Sequence, residues 1–464
     1  MSPNMSINNN YTLAEIFCGC GGFSHGFARS GRFSTLFGND IKAAAIRSYA
    51  FNHQSDSIVP GTILQDIRQV PLSSIAEILK DRGCKPGELD CLVGGPPCQG
   101  FSQLRRSEER ENGKIVKFRG YSKLAHDPRN DLVLRFLEVA EYLRPKFIVI
   151  ENVPQMLSHG FEQRLGKLSE TVVNVLEEMG YSVWVGVVSA ADYGVPQLRE
   201  RAIFIASSIG PVSMPEPSHA DPSQAELLLS GRKPWRTVAD AIKDLPQPPS
   251  DIDDMGGESI SHYLPTRSRY AESLRSAQSF PFNHVTRSYR KSVLRIIEIM
   301  RAGQTWDAES SRIRSVYDEK IESYKEKHGC SKSIARSALE KQGVINPVFY
   351  KKYYWSAYTR LAWNLPALTI TANANFLGSG RFTHPSEMRG ITMREAARLQ
   401  SFDDDFRFIT SADRDDETSN IGVGLDMIGE AVPPLLAEAI ANHLANQLDK
   451  RSASTRYNKI PIPA

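Results

Sequence analysis

The segment Gly94-Gly95-Pro96-Pro97-Cys98-Gln99-Gly100-Phe101-Ser102 presents one thiol on a backbone built to stop. The apolar run Leu89–Val93 before it reads as a buried strand. Paired prolines can neither extend that strand nor donate to a ladder, so Cys98 is expected at a rigid corner at the strand's carboxyl end. A lone cysteine in a turn more often packs as a small hydrophobe. Here glycines, prolines and a thiol at fixed offsets, with a glutamate downstream at another strand end, weigh toward a nucleophile. That glutamate is Glu151, which closes the nearly all-apolar run Lys146–Ile150 and precedes Asn152-Val153-Pro154. Further on, Gln197-Leu198-Arg199-Glu200-Arg201 alternates so that Gln197, Arg199 and Arg201 share one face.

These residues need a scaffold that brings strand ends together. Tyr11–Phe17 reads as a strand running into Cys18-Gly19-Cys20-Gly21-Gly22 and then a helix, a turn where backbone N–H groups can approach a ligand. A second apolar run, Thr35–Asn39, ends at Asp40, placed either to accept from ribose hydroxyls or to cap the next helix. Asp66 closes a third short run. Helices at Asp131–Leu143 and Phe161–Met179 alternate with strands at Lys146–Ile150, Ser182–Ser189 and Ala202–Ala206. Such alternation predicts an α/β fold with a doubly wound, mostly parallel sheet. The charged stretch Gln103–Arg129, directly after the thiol corner, reads as a lid.

No apolar run approaches the ~20 residues needed to span a bilayer, and Met1–Asn10 is polar, unlike a signal peptide. A cytoplasmic protein is expected. The six cysteines show neither metal-ligand spacing nor a disulfide framework, so no metal is expected, and Cys18 and Cys20 read as small side chains near a ligand. The net charge of +3 conceals a division: Ser261–Arg360 carries 19 Lys and Arg against 9 Asp and Glu, leaving +10 there and −7 elsewhere. Tyr289, Trp306, Tyr317, Tyr324, Phe349, Tyr350, Tyr353, Tyr354, Trp355 and Tyr358 are interleaved with these charges. Such a composition suits phosphate neutralisation and base stacking, and a nucleic-acid partner is expected. A proline-rich shift after Ile209 marks the boundary before it.

The thiol corner, the Glu-Asn-Val strand end and the Gln-x-Arg-x-Arg segment, in this order, resemble the DNA (cytosine-5) methyltransferases of bacterial restriction-modification type. The resemblance covers roughly residues 11–206 and 360–447. It implies an S-adenosylmethionine-dependent methyltransferase fold, with a catalytic and cofactor-binding domain at 1–206 completed by 421–450. A smaller target-recognition domain at 207–420 and a flexible tail at 451–464 complete the division. By this resemblance Cys98 adds to cytosine C6, Glu151 contacts N3 and the exocyclic amine, Arg201 holds O2, and Arg199 braces the lid or a phosphate. Neither reactive atom is reachable inside a duplex, so the base must be flipped out. The cofactor side would comprise Phe17, Gly19, Gly21 and Gly22 around the methionine and adenine moieties, Asp40 on the ribose and Ile41 over the purine. Asp66 would take the adenine amine, beside Ile67, Pro96 and Leu132, with Glu430 and Ala431 closing the site. The implied partner is double-stranded DNA, bound by a monomer associated with the nucleoid. A restriction endonuclease acting on the same site is an expected companion.

One departure stands out. The final motif reads Gly429-Glu430-Ala431-Val432-Pro433, where the family carries asparagine in place of Glu430. Either the cofactor's cationic groups tolerate this carboxylate, or it weakens or alters cofactor use. A catalytically silent or altered-cofactor DNA-binding protein and a tRNA cytosine methyltransferase are the alternatives.

Overall fold

The computed structural model describes residues 10–53, 60–97, 108–111, 114–118, 131–158, 167–223, 231–249, 262–275, 277, 281–380, 382–410 and 420–457. Seven strands form the central sheet: β1 (Tyr11–Ile16), β2 (Phe33–Asp40), β3 (Gly61–Leu64), β4 (Cys91–Gly94), β5 (Phe147–Asn152), β6 (Ser182–Ser189) and β7 (Glu200–Ser207). Their order is β3-β2-β1-β4-β5-β7-β6. Neighbours from β3 to β5 are parallel, whereas β7 is antiparallel to both β5 and β6. The sheet is thus mostly parallel, in the strand order of an S-adenosylmethionine-dependent methyltransferase fold.

Strand alternation sorts side chains between two cores. Ala14, Leu92, Ile148, Ile150 and Phe204 meet helices α3 (Leu72–Lys80), α4 (Asp131–Leu143) and α5 (Lys167–Glu178). Leu13, Val93, Phe147, Val149 and Ile203 face the other way, onto α1 (Gly22–Arg29) and the long C-terminal helix. Leu436, Ala437, Ile440, Ala441, Leu444 and Leu448 of that helix (Pro434–Tyr457) recur at helical spacing and cover this face. The chain's end therefore packs on its beginning.

Between β7 and that terminal helix lie two further cores. One gathers Val238–Leu245, Tyr270, Leu274, residues 361–408 and Leu425–Ala431, and also takes Cys20 and, from α2 (Ala43–Asn52), Ala45. Arg398 is its ionic centre: fully buried, it pairs with Asp404 and Asp244 at 2.5 Å and donates to Ala241 O at 3.0 Å. A buried ion pair of this kind holds only where the remaining donors are satisfied. The other core is helical, built from α6 (Lys291–Ile299), α7 (Trp306–His328) and α8 (Lys332–Lys341). The hydroxyl of Thr305 caps α7 by accepting from the Ala308 N–H, and Gly329 ends it at φ 59°.

That second unit corrects the expectation for its aromatics. Trp306, Tyr317 and Phe349 are 1%, 7% and 0% exposed, so they form the core of the unit, with Tyr324, Tyr350, Tyr353 and Tyr358 packed against them. Trp306 stacks on Phe349 at 5.2 Å and meets Tyr353 edge-on at 5.0 Å. Only Tyr354 and Trp355 of the group are exposed, following the exposed Lys351 and Lys352. Within the expected lid, Glu108–Glu111 and Lys114–Phe118 pair as an antiparallel hairpin, so that stretch is not a plain loop.

Candidate active site

In-register pairing of Ile16 with Gly94, and of Gly94 with Ile150, brings the carboxyl ends of β1, β4 and β5 to one edge. Ala202 at the start of β7 pairs with Asn152, which delivers Arg201 to the same edge from the antiparallel strand. Arg201 Nε lies 2.6 Å from Glu151 Oε1, both side chains being largely buried. The approach is off the donor axis: Oε1 has no hydrogen-bond partner among the described residues. A buried carboxyl oxygen lacking a linear donor is poised to accept one.

The double glycine of the thiol corner has a steric reason. A Cβ on Gly94 would come within 2.5 Å of Ile16 O, and one on Gly95 within 3.2 Å of Glu151 Oε2. Small residues thus let the corner's backbone lie against the glutamate. Asn152, next after Glu151, fixes the corner by donating from Nδ2 to Pro96 O at 2.9 Å. Pro96 is buried there. Cys98 itself, three residues beyond Gly95, lies outside the described residues.

Arg199 is elsewhere. Its side chain is 1% exposed and donates to Ile370 O at 2.9 Å, Gly429 O at 2.9 Å and Ala431 O at 3.0 Å. Burial pushes the guanidinium's pKa down. Buried, with both Nη atoms held by three carbonyls, it cannot reach a lid or a phosphate, which corrects the role expected of it. Gln197 works alongside, its Oε1 accepting from Ile370 N and its Nε2 donating to Leu399 O and Gln400 Oε1. Gln400 in turn donates to Ala431 O at 2.6 Å. The segment that alternates on paper divides into two buried staples and one active-edge arginine.

On the cofactor side, Phe17 follows β1 with φ 57°, an unusual conformation for a residue with a Cβ and one that marks sites held by their surroundings. Gly19, φ 54°, would meet nothing within 4 Å if it carried a Cβ, so it borders open space. Asp40 organises this turn: Oδ2 accepts from Gly19 N and Oδ1 from Lys42 N, each at 2.9 Å. Each carboxylate oxygen retains a lone pair for a further donor. Ile41 is 64% exposed, a bare apolar face beside that carboxylate. Asp66 faces Arg68, whose Nη2 donates to it at 2.6 Å and whose hydrogen bonds hold its carboxyl below the usual range. Leu132 is half-buried against the first core.

Four expectations change here. A Cβ on Gly21 would strike His53 and Tyr49, and one on Gly22 the Val432 backbone, so protein rather than ligand demands these glycines. Ile67 is 2% exposed within the first core, which leaves only its backbone for a ligand. Ala431 is 8% exposed, its carbonyl taken by Arg199 and Gln400. Cys18 and Cys20 are 4% and 0% exposed and fill protein cores, burial raising both thiol pKa values.

Sequence reasoning also missed Glu15. It is 2% exposed beneath the glycine turn, accepts from Ser24 N at 3.1 Å and from the Ser24 hydroxyl, and burial pushes its carboxyl up to about 8. Ser24 Oγ lies 2.9 Å from Tyr49 OH. An acidic residue inside an apolar strand was the available signal. Among the described residues no group of three or more His, Cys, Asp or Glu could hold a metal, and no helix is long and apolar enough to cross a membrane.

The parallel strand ends of an open sheet thus converge on a glycine turn, carboxylates and a glutamate–arginine pair. The family model for C-5 cytosine-specific DNA methylases matches residues 11–446, and the chain belongs to that family. It is 28% identical to the type II methyltransferase M.AgeI of Thalassovita gelatinovora, over 92% of this chain and 97% of that one. It is likewise 28% identical to the type II methyltransferase M.DdeI of Desulfomicrobium norvegicum, over 93% and 88% of the two chains. In fold it is similar to a protein assigned as a DNA modification methyltransferase encoded within a prophage of E. coli. That likeness has a TM-score of 0.61 and 22% identity over 95% of this chain and all of the other.

Proposed function

We propose that the chain methylates C5 of a cytosine flipped out of a specific site in duplex DNA, with S-adenosylmethionine as methyl donor. The observation that carries this reading is the Glu151–Arg201 pair, set against Gly95 of the thiol corner, with Glu151 Oε1 lacking a linear donor. That oxygen suits an exocyclic amine or a protonated ring nitrogen, and Arg201 suits the neighbouring carbonyl O2. Cytosine C5 is a poor nucleophile until a thiolate adds to C6. Cys98 would form that bond, with Glu151 supplying a hydrogen bond or proton at N3. When bound, the cofactor supplies an electrophilic methyl group to C5. Loss of the C5 proton to water then breaks the carbon–sulfur bond and frees Cys98 as the thiolate.

The open space at Gly19, the exposed Ile41 and the residual acceptor capacity of Asp40 fit an adenosine-bearing ligand. Phe17 and Ile41 would flank the purine, Asp40 the ribose and Asp66 the adenine amine, with Pro96, Leu132 and the Ile67 backbone as walls. Residues 1–206 with 421–450 would carry chemistry and residues 207–420 target recognition. A monomeric, cytoplasmic enzyme with a companion restriction endonuclease completes the proposal.

Nucleoside mass analysis of DNA from cells lacking cytosine methylation tests it. Expression of the wild type should yield 5-methylcytosine, and Cys98→Ala should abolish it. Equal signal from both proteins would remove the thiol mechanism; no signal from the wild type would remove the activity.

A further inference from the structure

The residue that departs from the family motif has a partner. Both oxygens of Glu430 lie close to Lys42 Nζ, at 2.6 and 2.5 Å. The two are 388 residues apart in sequence, Lys42 beside the candidate cofactor residues Asp40 and Ile41 and Glu430 in the motif expected to close that site. Lys42 directly follows Asp40 and Ile41, and its backbone N–H is fixed by Asp40 Oδ1. Glu430 sits between Gly429 and Ala431, whose carbonyls are held by Arg199 from below, with Gln400 as a further tie on Ala431. A Cβ on Gly429 would collide with the Thr371 backbone, so the chain at 430 has no room to slide. A rigid platform on one side therefore meets a long, adaptable lysine on the other.

The pair is not insulated. Lys42 and Glu430 side chains are 48% and 38% exposed. Exposed pairs contribute little to stability; what distinguishes this one is its position and its sum of charge. Asp426, one turn back in the helix Ile421–Glu430, belongs to the same electrostatic group. Burial and Glu430 push its carboxyl pKa up, and Lys42 pulls it down.

We propose that Lys42 and Glu430 form a charge-neutral clasp across the mouth of the cofactor cleft, cancelling the carboxylate's field on a sulfonium ligand and setting the affinity ratio between S-adenosylmethionine and S-adenosylhomocysteine. The proposal rests on the cofactor reading given above. The two ligands share an ammonium, a carboxylate and an adenosine, so the ratio isolates the response to the sulfonium charge. A neutral amide at position 430 needs no such partner; a carboxylate there does.

Calorimetric titration of the full-length protein with each ligand, at low and moderate salt, tests the clasp. Glu430→Gln leaves the lysine unpaired and should lower relative affinity for S-adenosylmethionine by about two- to five-fold. Lys42→Met leaves the carboxylate unpaired and should raise it by a similar factor. The double variant should return to the wild-type ratio, and both single effects should shrink as salt is added. An unchanged ratio in both single variants, with the wild type binding both ligands, overturns the clasp alone. A wild type that binds neither ligand overturns the cofactor reading and the clasp with it.

Discussion

The carboxyl edge of the sheet and the helical unit at 291–358 both looked like ligand-contacting surfaces, yet they are built in different ways. At the edge, each named residue is fixed by strand register: Ile16 beside Gly94, Gly94 beside Ile150, Asn152 beside Ala202. A residue one place further on is already determined in direction. In the helical unit the signal was compositional, and folding separates it: aromatics inward as Trp306, Tyr317 and Phe349, lysines and arginines mostly outward. Spacing carries geometry, whereas composition carries only a sum.

The largest effect should come from the edge. Glu151→Gln preserves shape but replaces the carboxyl group beside Arg201 with an amide. Single-turnover methyl transfer should slow by about 10²- to 10⁴-fold, with cofactor titration unchanged. Retained transfer would make the pair a structural tie and erase the contrast. On the other side, Trp306→Ala removes a ring that stacks on Phe349 at 5.2 Å and is 1% exposed. Urea unfolding should show a loss of about 3–5 kcal/mol. If stability holds and only DNA affinity falls, the unit is a recognition face after all.

The same distinction explains how much was legible beforehand. Strand ends at Asp40, Gly94 and Glu151 could be read because apolar runs stop abruptly there. Arg199 and Arg201 could not be told apart, since alternation predicts a shared face. What separates them is tertiary: carbonyls of Ile370, Gly429 and Ala431, more than 170 residues away, capture Arg199. The glycines were legible as a turn but not as to what approaches them. Gly19 borders open space, and Gly22 meets Val432 from the far end of the chain. No local pattern encodes that partner, nor the pairing of Lys42 with Glu430.

Glu15 sharpens the comparison from within the edge, being an acidic group there that is buried and bonded to Ser24. Burial raises its carboxyl to about 8 from an ordinary 4.5. Below the lower value both folded and unfolded chains hold the proton and nothing is lost. Between the two the unfolded chain releases it while the folded chain retains it, so this residue makes stability fall as pH rises from about 4.5 to about 8. Chemical denaturation at several pH values should show that Glu15→Gln gains on the wild type across this window, by up to ~1.4 kcal/mol per pH unit. Parallel curves would place the ionised form comfortably in its hydrogen bonds to Ser24.

The smallest effect belongs to the remnant of the compositional signal. Tyr354 and Trp355 are 45% and 37% exposed, and Lys351 and Lys352 beside them are exposed as well. Their rings lie 5.8 Å apart on a backbone tied to the start of α7 by Trp306 N donating to Trp355 O at 2.8 Å. This short stretch retains what the whole region was expected to have: cation and ring together, facing outward, on a fixed support. Tyr354→Ala should leave unfolding within about 0.5 kcal/mol of the wild type yet weaken duplex binding by about 1 kcal/mol, the low end for a base–aromatic contact. Replacing Lys351 should lower affinity uniformly across sequences and reduce its salt dependence. If Tyr354→Ala instead costs stability and leaves DNA binding intact, the aromatics of this unit are core without remainder, and recognition must be sought among its charges alone.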